Sequence, residues 1–328
     1  MTKVHILQHN DADGYAAAYL VKKHLIKDCK SRDIAFHVMS YKDSEVEDFL
    51  KEVEKDSQVW IVDYSLQPEK MIELLKITKD VIWIDHHATA INKYNDWYDL
   101  IEEATGVDNI KGIRLVGLCG AALTYQYLFN GLSEEALIEL QDSCINEDNV
   151  LSVLKDEFEE KAPRWLILVN DWDIWQHKYR DSKPFQIAIA NDLSIELFVQ
   201  LDNDFAEDTL CELLCKGESY LEYRDQWAST FRQRYGQVKG LDFKTSRIYD
   251  CYVMNLGNGN SDFFGPEIDK HDICMNYCDN KESTVFSLYS NKSDVDVGKL
   301  ANNFGGGGHK GAAGFTVSKE EARLILGD

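Results

Sequence analysis

Val81-Ile82-Trp83-Ile84-Asp85-His86-His87 is the stretch that decides the fold of this chain. Four apolar residues lead straight into one carboxylate and two imidazoles. An apolar run this short reads as a strand buried on both faces. In open α/β sheets the ligand crevice lies outside the carboxyl ends of the strands. Asp85, His86 and His87 are therefore expected at a sheet edge where chemistry takes place.

The design recurs upstream. Residues 3–8 form an apolar strand pattern that ends in His9-Asn10-Asp11-Ala12-Asp13-Gly14, and a helix follows with Ala17, Leu20, Val21, His24 and Leu25 on its apolar face. Gly14 permits a tight backbone at that turn. One Asp is enough to cap the helix; a second Asp and a His in the same turn ask for another explanation. Residues 34–40 form a second strand, and Val59-Trp60-Ile61-Val62 a third that ends in Asp63. Helical patterns at 44–55 and 67–77 separate the strands. This βαβαβαβ alternation predicts a parallel sheet. Three strand ends then deliver His9, Asp11, Asp13, Asp63, Asp85, His86 and His87 to one edge.

Residues 92–111 read as loop. A helix opening at 117 starts with small residues, as if packed closely on the sheet. Residues 163–169 are again apolar and end in Asn170-Asp171-Trp172-Asp173-Ile174-Trp175. Both Asp171 and Asp173 are available as ligands there, and Asp171 is preferred because it directly follows the apolar run. The expected domains are 1–190, a helical linker over 191–240, and a smaller α/β domain with a mixed sheet over 241–328. That last part carries three strand patterns, a short helix over 296–304, and then Phe304-Gly305-Gly306-Gly307-Gly308-His309-Lys310-Gly311. Glycines let backbone N–H groups approach an anion closely, and His309 and Lys310 add side-chain donors.

Composition narrows the partners. The formal net charge of −22 is the wrong sign for tight binding along a long duplex, which Lys and Arg drive by releasing counterions. It is compatible with short substrates held in a pocket beside cations. No run approaches the length of a membrane span, the first residues lead directly into a strand pattern, and a cytoplasmic protein is expected. The eight cysteines sit in periodic segments without zinc-finger spacing and read as reduced thiols.

Two divalent metals a few ångströms apart need an array of hard O and N donors with one carboxylate shared. Asp11, Asp13, Asp63, Asp171, His9 and His86 supply such a set. So many carboxylates at one edge would repel each other without cations. The chemistry that fits is attack of a metal-activated hydroxide on phosphorus. His9-x-Asp11-x-Asp13-Gly14, Asp63 at a strand end, Asp85-His86-His87, Asp171 and Gly306-Gly307-Gly308-His309 together resemble the DHH phosphoesterase superfamily with its DHH-associated C-terminal domain. The resemblance covers both ends of the chain, and its layout is similar to the nano-RNase and oligoribonuclease-like branch.

The resemblance implies a cleft between two α/β domains with two Mn²⁺ ions, Mg²⁺ or Co²⁺ being alternatives. It implies one ion on His9, Asp11 and Asp63, and the other on Asp13, Asp63, His86 and Asp171. His87 would face the scissile phosphate, Asp85 would orient a histidine, and Gly306, Gly307, Gly308, His309 and Lys310 would hold a phosphate or terminal nucleotide. Where many members carry an Arg in the C-terminal strand, this chain has Tyr289, which is offered as a base-stacking residue. The implied activity is a phosphodiesterase on short oligonucleotides or small nucleotides, as a monomer or homodimer. Rival activities are hydrolysis of cyclic dinucleotides or 3′,5′-bisphosphorylated nucleotides, RecJ-type exonuclease action, and pyrophosphatase or polyphosphatase action. A non-catalytic nucleotide sensor is the rival of another class.

Overall fold

The computed structural model describes residues 3–27, 33–40, 42–133, 136, 147–257 and 259–327. They form two compact units, 1–220 and 221–328. The first unit opens with β1 (Lys3–His9), α1 (Ala12–Ile26), β2 (Asp33–Met39), α2 (Asp43–Glu52), β3 (Gln58–Val62), α3 (Pro68–Ile77) and β4 (Val81–Ile84). The strands make a parallel four-stranded sheet in the order β2-β1-β3-β4. The chain therefore leaves β1 toward one edge and returns to β3 on its other side. That reversal is the switch point where open α/β sheets place their ligand crevice.

Both sheet faces are covered, as the apolar runs predict. Alternate side chains point to opposite faces of a strand. Ile6, Trp60, Val62, Ile82 and Ile84 join one core cluster with α1, while Leu7, Val59, Ile61, Val81 and Trp83 join another with residues of α2 and α3. Trp83 is fully buried, and its indole N–H donates to the Tyr64 carbonyl at 3.2 Å. The span read as loop takes in the end of α4 (Ala88–Tyr94) and all of α5 (Tyr98–Thr105), and the chain then returns to β4 through backbone bonds from Trp83 to Lys111 and from Asp85 to Ile113.

The unit continues through α6 (Gly120–Phe129), α7 (Glu147–Lys161), α8 (Arg164–Asp173), α9 (Ser182–Ile189) and α10 (Ile195–Gln200). The apolar run at 163–169 thus differs from the three strand ends: it lies in helix α8, with Pro163 at its N-cap. The next helix, α11 (Ala206–Tyr235), runs from the first unit into the second, and the last residues of the expected helical stretch are strand β5 (Gln237–Asp242).

In the second unit β5, β6 (Ile248–Asn255), α12 (Glu267–Lys270), β7 (Ile273–Asp279), β8 (Ser283–Tyr289), α13 (Val297–Asn302), β9 (Gly307–Gly308), β10 (Ala312–Ser318) and α14 (Lys319–Leu326) follow. Its six-stranded sheet has the order β5-β6-β7-β8-β10-β9 and is mixed, with β6 and β7 parallel. Leu300, Ala301, Ile325 and Leu326 from α13 and α14 pack on Phe286 and Phe315 of the sheet. Among the described residues no helix is long and apolar enough to cross a membrane.

Candidate metal centre

The sheet edge collects the expected side chains because each one follows a strand directly. His9 ends β1, and its Nδ1 lies 2.5 Å from Asp11 Oδ2. Asp11 is also the N-cap of α1, accepting from the Gly14 amide at 2.9 Å through Oδ1. It serves as cap and as His9 partner at once, one oxygen for each. A Cβ on Gly14 would sit 2.3 Å from the His9 carbonyl oxygen, so the turn requires glycine.

Asp13 is buried and faces the N-terminus of α6. Its two oxygens accept from the amides of Gly120 and Ala121, each at 2.7 Å. Helix N-termini stabilise anions in this way. The small residues that open α6 allow the approach: a Cβ on Gly120 would lie 2.6 Å from Asp63 Cβ.

Asp63 is the centre of the group. It is 1% exposed and takes a left-handed backbone, φ 50°, which a non-glycine residue adopts at a cost and which concentrates at functional sites. Its Oδ1 lies 3.2 Å from His86 Nε2. Its Oδ2 is buried without a hydrogen-bond partner. Burial, with Asp13 and Asp11 beside it, holds this carboxyl well above the usual range.

His86 Nε2 also lies 3.7 Å from Asp13 Oδ2 and 3.5 Å from Asp173 Oδ2. Asp173 Oδ2 has no hydrogen-bond partner either. Burial, then Asp13 and Asp11, push the Asp173 carboxyl up to about 8. Asp13, His86 and Asp173 have the spacing of a metal site, as do His9, Asp11 and Asp63.

Asp171 points elsewhere, which corrects the expectation that it would join this group. It is buried, and accepts from the Lys178 amide at 2.8 Å, the Tyr179 amide at 3.2 Å and the Ser182 hydroxyl. It organises the turn after α8. The physical reason is the helix: at 3.6 residues per turn, positions two apart lie on nearly opposite faces. A strand would have put Asp171 and Asp173 on one side, and the preference for Asp171 rested on strand-end logic.

Asp85 is fully buried. It accepts from the Ser65 hydroxyl, from the His86 amide at 2.8 Å and from His87 Nδ1 at 2.7 Å. Burial alone would raise it, but the His87 bond holds it below the usual range, and the same bond raises the His87 imidazole. Asp85 thus holds His87 by its Nδ1, and the His87 ring stays partly exposed.

The glycine-rich stretch is a hairpin in the second unit. Gly307 and Gly308 pair with Gly314 and Ala313, the Gly306 amide donates to Ala301 and the His309 amide to Ala312. A Cβ on Gly306 would lie 2.2 Å from the Gly314 carbonyl oxygen. Of the expected cradle, the Gly306 and His309 amides are taken up within the fold, while the side chains of His309 and Lys310 are exposed. Tyr289 is also committed, its hydroxyl to the Gly259 carbonyl at 3.1 Å and its ring against Phe264.

Residues 3–154 match the DHH family, N-terminal domain. Over these residues the chain is similar to that family. Across 339 aligned positions the chain is 22% identical to the oligoribonuclease NrnB of Bacillus subtilis (strain 168), with 99% of this chain and 75% of that protein covered. It is also 22% identical over 319 positions to protein R106 of Acanthamoeba polyphaga mimivirus, spanning 94% of this chain and 65% of that protein. The manganese-bound exonuclease RecJ superposes with a TM-score of 0.51 at 15% identity, over 99% of this chain and 89% of that one. A Mn²⁺ complex of RecJ from Thermus thermophilus gives a TM-score of 0.50 at 14% identity, over 99% of this chain and 51% of that one. At these identities the structural likeness concerns the fold.

Proposed function

We propose that the protein is a divalent-metal phosphodiesterase acting on short oligonucleotides or small nucleotides. The observation that carries this reading is a pair of buried carboxylate oxygens, Asp63 Oδ2 and Asp173 Oδ2, that make no hydrogen bond although both carboxylates lie against His86. A fold rarely buries acceptors unpartnered, and hard oxygen and imidazole donors suit Mn²⁺ or Mg²⁺. His9, Asp11 and Asp63 would hold one ion. Asp13, Asp63, His86 and Asp173 would hold the other, with Asp63 shared.

The bound cations would draw in the anionic diester and make water acidic enough to act as a nucleophile near neutral pH. The protein's own part is orientation and charge. Asp85 keeps a proton on His87 Nδ1 and favours the imidazolium, so the ring can donate to a phosphate oxygen as negative charge builds there. In the second unit, the exposed side chains of His309 and Lys310 are proposed as phosphate-binding groups. The match to the DHH family supports phosphoester chemistry, and the oligoribonuclease name of the B. subtilis relative supports short oligomers as substrates.

The test is a time course with Mn²⁺ on an end-labelled RNA dinucleotide, a pentamer, a long single strand, a cyclic dinucleotide and pyrophosphate. Rapid loss of the two short RNAs, with the long strand slow, is expected. Turnover of the cyclic dinucleotide or pyrophosphate alone would keep the metal site and overturn the substrate. No turnover with Mn²⁺, Mg²⁺ or Co²⁺ would leave a nucleotide sensor.

A further inference from the structure

Immediately after Asp173 the chain does something that neither core packing nor metal binding explains. Trp175 is 76% exposed. Its ring stacks on Trp172 at a centroid separation of 6.1 Å with an interplanar angle of 24°, and the His177 ring stands edge-on to both, at 5.2 Å from Trp172 and 5.0 Å from Trp175. An aromatic cluster left in water costs a fold solubility and gives its core nothing.

The backbone that presents these rings is strained. Trp175 and His177 take φ values of 54° and 51°, a region that bulky non-glycine residues avoid. The strain is held in place from below. The Gln176 amide donates to the Asp171 carbonyl at 3.0 Å, and the Asp171 carboxylate takes the Lys178 and Tyr179 amides and the Ser182 hydroxyl. Asp171 thus fixes a rigid turn whose outward product is the Trp175 ring. In the same helix Asp173 reaches His86. One short segment therefore carries a candidate metal ligand and, one and two residues to either side, a flat aromatic surface.

We propose that Trp175, backed by Trp172 and edged by His177, is the stacking platform for a nucleobase adjoining the scissile phosphate. The proposal rests on the phosphodiesterase reading and names the substrate feature that the site reads: a base of any identity, recognised by its π-face. Stacking of this kind tolerates sequence and strengthens binding by a factor of about 5 to 150 per base. A platform two residues from Asp173 suits a substrate as short as a dinucleotide, for which a single stacked base is a large share of the whole contact.

The test uses the full-length, Mn²⁺-loaded protein with four probes: the dinucleotide pApA, the same compound with one base replaced by an abasic ribose, AMP, and ribose 5-phosphate. Trp175→Ala should raise KM for pApA about 5- to 150-fold with kcat nearly unchanged, since the stack is equal in ground and transition states. Trp175→Phe should restore most of the loss. In the wild type AMP should bind more tightly than ribose 5-phosphate and quench tryptophan fluorescence, and Trp175→Ala should abolish both the preference and the quench. Equal KM in wild type and Trp175→Ala, with the AMP preference intact, would overturn the platform. If no diester is cleaved but AMP still prefers the wild type over Trp175→Ala, the platform stands and the catalytic reading fails.

Discussion

The carboxylate edge of the four-stranded sheet and the glycine-rich hairpin of the six-stranded sheet look alike as sequence, each a run of polar or small residues that follows a regular element. Their hydrogen bonding separates them. At the sheet edge, Asp63 Oδ2 and Asp173 Oδ2 are buried without a hydrogen bond. In the hairpin, the Gly306 and His309 amides are spent on Ala301 and Ala312. A site built for a ligand leaves buried groups unsatisfied until the ligand arrives, whereas a structural turn satisfies its own. The first region is thus where a bound cation should matter most, and a smaller effect is expected of the second.

The comparison breaks most sharply at Asp63. Asp63→Asn should cost activity on the order of 1,000-fold and lower Mn²⁺ occupancy, while the fold keeps or gains stability because a buried charge is removed; activity near wild type would show that the shared ligand lies elsewhere.

A second effect is thermal and runs with pH. Folded Asp63 and Asp173 titrate above the 3.8 of an unperturbed Asp, Asp173 at about 8. A carboxyl raised in this way binds more protons folded than unfolded, so its stabilising contribution is present at low pH and is lost as pH rises toward about 8. Cations would hold these groups ionised without penalty. The drop in Tm on adding a chelator should therefore be larger at pH 8 than at pH 6. A drop that is the same at both pH values would argue that the two carboxylates do not meet the metal.

The smallest effect belongs to the hairpin. His309→Ala should raise KM for a dinucleotide several-fold, leaving kcat and Mn²⁺ occupancy unchanged; a fall in metal content instead would place His309 in the centre.

Much of the gathering of side chains at the candidate site was legible because strand ends and sheet edges coincide. His9, Asp11 and Asp13, then Asp63, then Asp85, His86 and His87 each follow an apolar run directly, and a parallel sheet brings such ends together. The choice between Asp171 and Asp173 was not legible by that rule. Their apolar run is the helix Arg164–Asp173, where facing depends on a 100° step and not on alternation. The anchoring of Asp13 by Gly120 and Ala121 was visible only as a helix opening with small residues. Strand Gln237–Asp242 lay hidden behind the charged helix Ala206–Tyr235, whose period carries no mark of where the chain changes direction.

The two-ion site built on Asp63 and Asp173 is tested by Mn²⁺ stoichiometry from equilibrium dialysis on three proteins: wild type, Asp173→Asn and Asp171→Asn. Two ions per chain are expected in the wild type. Asp173→Asn should weaken one of them with Tm held or raised. Asp171→Asn should keep both while losing about 1–3 kcal/mol of stability, since the Lys178 and Tyr179 amides and the Ser182 hydroxyl lose a charged acceptor. The reverse pattern, metal lost with Asp171→Asn and kept with Asp173→Asn, would contradict the site described above.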